Sequence, residues 1–169
     1  MLFRSYLGNK IVAKADSLNF SKPVAIGLMI SIGIGLHNFG EGLAIGAAVG
    51  IGSIAFSTFL IVGFALHNTT EGIAIAAPMS RGKLMLGKLA IMGMIAGTPA
   101  IFGAWIGGFA YSPFTSVIFL AIGAGAIFQV ILVLMKWIQK ENDGNLSTFS
   151  VVSGFAIGML VMYLTSILV

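Results

Sequence analysis

The sequence predicts an all-α protein that crosses a membrane several times. Of its 169 residues, 58% are hydrophobic and only 8% charged, with a mean hydropathy of +1.06. A soluble domain carries about a quarter charged residues. The apolar residues gather into five runs, each at least the ~20 residues that a helix needs to cross the hydrocarbon core. Backbone groups in lipid must be satisfied within the segment, and barrel strands would be ~10 residues long with strict alternation. The runs therefore read as helices.

In order, residues 1–22 form the most polar long stretch, with Arg4, Lys10, Lys14, Asp16 and Lys22. They are expected to be a cytoplasmic N-terminal segment. The opening Met1-Leu2-Phe3-Arg4 lacks the long apolar core and small-residue cleavage site of a signal peptide. Residues 23–169 are expected to form one transmembrane helical bundle. Its spans cover about 23–50, 55–78, 84–110, 115–138 and 146–169. Pro23 suits the first turn of the first span. Short links predict that consecutive helices pack as antiparallel neighbours. Pro78 and Pro99 are expected to kink their helices, and Thr98-Pro99, mid-span, to free backbone carbonyls toward a cavity. The glycines from Gly103 to Gly108 suit a helix interface.

The charges orient the chain. All nine Lys and Arg residues lie before the first span (Arg4, Lys10, Lys14, Lys22), around the second link (Arg81, Lys83, Lys88) or around the fourth (Lys136, Lys140). The other links and the C-terminus carry none. Basic residues favour the cytoplasmic side, which predicts a multi-pass cell-membrane protein with a cytoplasmic N-terminus and an extracytoplasmic C-terminus. The net charge of +4 thus reflects topology, and no nucleic-acid partner is expected. The chain has no cysteine, which excludes disulfides and thiolate metal ligands.

Both histidines and two of the five acidic residues sit inside apolar runs, in two copies of one pattern. His37-Asn38-Phe39-Gly40-Glu41-Gly42 recurs thirty residues on as His67-Asn68-Thr69-Thr70-Glu71-Gly72. In each copy His and Glu are four apart, on one helix face and within reach of a shared ligand. Antiparallel packing of the two spans would bring His37, Glu41, His67 and Glu71 to one cation. That ligand set suits borderline first-row ions such as zinc, and less readily manganese or ferrous iron. Each glutamate also lies three residues from an asparagine. A bridging carboxylate would allow a second, oxygen-rich position with Asn38 and Asn68. The plainer reading is that each His–Glu pair bonds within its helix and glues the two spans together. An acidic group at mid-helix costs roughly 2.5–3.5 kcal/mol on insertion scales, and two copies in register favour the metal reading. A zinc protease would need His-Glu-x-x-His and a di-iron carboxylate protein Glu-x-x-His; neither occurs, so no enzyme is expected.

The doubled motif resembles that of the ZIP family of divalent metal transporters, where the copies lie on the fourth and fifth of eight membrane helices. The resemblance covers the five spans, matching helices four to eight. It implies that His37, Glu41, His67 and Glu71 are primary ligands and that Asn38 and Asn68 serve a neighbouring position. It implies uptake into the cytoplasm of zinc, or of iron, manganese, cobalt or cadmium ions, as the transported substrate. Gly40 stands where the family usually has proline. Thr98 stands where relatives with two metals often have glutamate. The family's first three helices have no counterpart here. This implies a fragment, or a metal-binding subunit that does not transport until a partner chain or further copies supply the missing wall.

Overall fold

In the computed structural model, which describes residues 21–80, 86–110 and 112–167, five helices arrange around the first. Helix α1 (Lys22–Gly50) carries Pro23 in its first turn and is the most buried of the helices, although Ile32, Leu36 and Val49 remain exposed. Gly52, with φ of 76°, reverses the chain after it. Helix α2 (Ile54–Ala76) runs into a 3-10 turn, Ala77–Met79. Pro78 lies in that turn because it has no N–H with which to continue the α-helical ladder. Helix α3 (Leu86–Phe109) contains Pro99. Helix α4 (Pro113–Glu141) starts on its proline and outruns the apolar stretch at both ends. Helix α5 (Phe149–Ile167) spans 19 residues, or about 28 Å at ~1.5 Å per residue. It starts later than hydropathy suggests because the residues after Glu141 form turns, with Asp143 and Gly144 at positive φ.

Every described helix is α or 3-10, and four are long and apolar enough to cross a membrane. The N-terminal segment expected over 1–22 lies almost wholly outside the described residues, as do Arg81 and Lys83.

Packing departs from the expectation of sequential neighbours. The most extensive contact is between α1 and α3, followed by α1 with α4 and then α1 with α2. Side chains at Gly42 and Gly46 of α1 would overlap the carbonyls of Ala100 and Ala104. Gly103 and Gly107 of α3 meet the carbonyls of Phe39 and Leu43 in return. These pairs rise together in number, so α1 and α3 run parallel, backbone against backbone. The glycine face of α3 is therefore an interface within the chain. Gly33 against Val130 and Gly123 against His37 set α4 antiparallel to α1. Gly27 against Ile75, with Glu41 against His67 further along, does the same for α2. It follows that Lys22, Lys88, Lys136 and Lys140 all fall at one end of the bundle. Near that end lies the apolar core, built from Val24, Ile30, Ile34, Ile75, Met79, Met92, Ala96 and Val130. Helical hydroxyls are satisfied locally: Ser31 donates to the Gly27 carbonyl at 2.8 Å and Thr69 to that of Ala65 at 3.1 Å.

Candidate metal centre

Above the apolar core, midway along α1, the chain places its polar groups. His37 and Glu41 lie one turn apart, with Nε2 of His37 3.3 Å from Oε1 of Glu41. Helix α2 crosses antiparallel and brings Nε2 of His67 within 2.6 Å of the same oxygen. One carboxylate oxygen thus meets two imidazoles from two helices. Glu41 is 6% exposed, His67 16% and His37 28%. The three donor atoms lie within 4.8 Å of one another. Ligands ~2.1 Å from a tetrahedral zinc would be separated by about 3.4 Å, so modest side-chain movement closes the set on one ion.

The walls hold these rings in place. Phe64, one turn before His67, meets its ring edge-on at 5.5 Å between centroids. The two imidazole centroids lie 6.3 Å apart. Thr70 donates its hydroxyl hydrogen to the His67 carbonyl, tying that turn of α2 together. A cavity of about 600 Å³ opens beside the cluster. Its polar lining is His37, Glu41, His67, Thr70 and Glu71, and its far wall is Gly123, Ala124 and Ile127 of α4 with Met162 of α5.

The motif copies, alike in sequence, are not equivalent in space. Glu41 takes both histidines. Glu71 lines the same cavity but stands outside the three-residue cluster, and its Oε2 is buried with no hydrogen-bond partner. Asn38 is 3% exposed and donates from Nδ2 to the Ala96 carbonyl at 3.1 Å. The Oδ1 atoms of Asn38 and Asn68 are buried without partners. Of these three unpaired buried oxygens, only that of Glu71 belongs to a residue lining the cavity. Thr98 faces elsewhere, into a separate apolar groove with Phe39, Ile91, Met94, Ile95, Pro99 and Phe102. Sequence reasoning missed Met162 and the α4 wall, since an isolated methionine and small residues in an apolar run carry no one-dimensional mark. Comparison of the chain with family models, curated proteins and solved structures finds no match in any of the three.

Proposed function

We propose that this chain forms the ion-binding part of a ZIP-like divalent metal transporter, with zinc the preferred cargo. The carrying observation is the contact of one Glu41 oxygen with both His37 and His67 inside apolar helices. Two imidazoles and a carboxylate are borderline donors that suit zinc, and also iron, cobalt, manganese or cadmium ions. The incoming ion exchanges its water for His37, His67 and Glu41. Asn38, Asn68 and Glu71 offer a neighbouring oxygen-rich position. Helix glue alone would leave no reason for the partnerless oxygens of Asn38, Asn68 and Glu71. Alternating access around this mid-membrane site would then release the ion at the lysine-bearing end, taken as cytoplasmic in the cell membrane.

A second reading is a metal-binding membrane subunit that does not transport alone. The observation favouring it is the side-chain exposure of His37, 28%, in a cavity that hydrocarbon would otherwise border. A partner chain or a further copy would supply the cover. Zinc uptake into dye-loaded proteoliposomes decides between the readings. Uptake by the wild type, abolished in His37→Ala and Glu71→Ala, supports transport. Zinc binding without uptake supports the subunit. Uptake unchanged in both variants removes the site assignment.

A further inference from the structure

On the side of α1 turned away from the ion cavity, the helices leave a gap. Ile32, Leu36 and Phe39 follow one another at intervals of four and three residues, so they form one strip along α1. Ile32 is 38% exposed and Leu36 50%, although α1 is the most buried helix. Helix α3 borders the strip on one side, where Phe39 shares an apolar groove of about 520 Å³ with Ile91, Ile95, Thr98 and Phe102. Helix α4 borders it on the other, with Phe119 meeting Phe39 edge-on at 5.1 Å between centroids.

Three lysines stand at the mouth of this groove. Lys88 precedes Ile91, Ile95 and Phe102 by three, seven and fourteen residues, and so shares their face of α3. Lys136 and Lys140 lie on α4, four residues apart and both exposed. They follow Val133, which packs against the apolar core, by three and seven residues, and Ile127, which lines the ion cavity, by nine and thirteen. At ~100° per residue, this sets them on the flank of α4 opposite the cavity, toward the exposed strip of α1. Glu141, the next residue after Lys140, points about 100° away from it. Two like charges one turn apart repel each other on a helix, so the lysine pair favours an anion beside it.

The spacing along the bundle fits one lipid. Gly33 against Val130 fixes the level of α4 on α1. Lys136 is six residues beyond Val130, and Phe39 is six beyond Gly33 in the opposite direction. At ~1.5 Å per residue the two are about 18 Å apart along the axis, close to the ~15 Å hydrocarbon depth of one leaflet. A cationic mouth above an apolar groove one leaflet deep complements an anionic head on an acyl chain. We propose that this groove binds an anionic phospholipid, its phosphate between Lys88, Lys136 and Lys140 and one acyl chain along Ile32, Leu36 and Phe39. The lysine stems reach the phosphate along apolar surface, as long cationic side chains do at a membrane interface. The site lies across α1 from the His–Glu cluster and does not depend on the transport reading.

The full chain in phosphatidylcholine bilayers tests this, with phosphatidylglycerol carrying a photoreactive group near the end of one acyl chain as the probe. Its cross-links should map to Ile32, Leu36 and Phe39, and should exceed those of the matching phosphatidylcholine probe by about tenfold. Lys136→Gln together with Lys140→Gln should cut that preference to about twofold. Ile32→Trp fills the groove and leaves the lysines in place, so it should remove the cross-links at Leu36 and Phe39. Equal labelling by the two probes overturns the proposal. So does a phosphatidylglycerol preference whose cross-links spread over the exposed faces of α2 and α5, since that is diffuse attraction to the basic end of the bundle. Disulfide formation between copies through Ile32→Cys would assign the groove to a second chain and overturn it as well.

Discussion

Placing an acidic side chain at mid-helix costs roughly 2.5–3.5 kcal/mol on insertion scales, and Glu41 and Glu71 both carry that cost. Glu41 recovers part of it through two imidazoles, whereas one oxygen of Glu71 has no partner. Glu41→Gln keeps the shape and removes the charge between the rings. It should weaken zinc binding by more than the ~10–100-fold that loss of an outer-shell partner costs, as read from isotherms of the purified protein. Acidification should act in the same direction. Histidine must be deprotonated to bind metal, so affinity should fall as the pH is lowered, by up to about tenfold per pH unit for each proton displaced. Affinity constant from pH 7.5 to 5.5 would exclude His37 and His67 as ligands.

Between elements, the contact that organises the protein is α1 on α3, and glycine makes it. The motif copies supply an internal control, since Gly42 and Gly72 occupy the same place in each. A methyl at Gly42 would overlap the Ala100 carbonyl, while one at Gly72 meets nothing within 4 Å. Gly42→Ala should cost about 1–3 kcal/mol, as overpacking does, with a clear fall in Tm in detergent. Gly72→Ala should be neutral or stabilising by up to about 1 kcal/mol, because alanine is the better helix former. Equal effects at the two sites would mean that the helices do not approach as closely as described.

At the scale of the whole molecule, parallel α1 and α3 with antiparallel α2 and α4 put Lys22, Lys88, Lys136 and Lys140 at one end. The chain has no native cysteine, so single introduced thiols report topology cleanly. Lys22→Cys and Lys140→Cys should react with an impermeant maleimide only from the cytoplasmic side, and Ser53→Cys only from the outside. Labelling of Ser53→Cys and Lys140→Cys from the same side would reject the up-and-down order of the helices.

Sequence by itself determined where the helices lie and which polar residues sit within them. Both are local properties: hydropathy over ~20 residues decides whether a segment resides in lipid, and a four-residue interval decides which side chains share a face. Pro23 and Pro113 marked helix starts and Pro78 the end of α2, since the missing N–H acts on its own turn, whereas Pro99 lies inside the unbroken α3. Which helix is central, and which of two matching motifs holds the histidines, are matters of the tertiary structure. Gly42 and Gly72 are one letter, yet only Gly42 has a neighbouring backbone against it. Glu41 and Glu71 are likewise one letter, yet only Glu41 stands between the two rings. The bond from Asn38 to Ala96 joins residues fifty-eight apart, and its acceptor is a backbone atom common to every residue. No pattern of side chains announces such a partner; it arises only where glycine lets two helices meet at a proline turn.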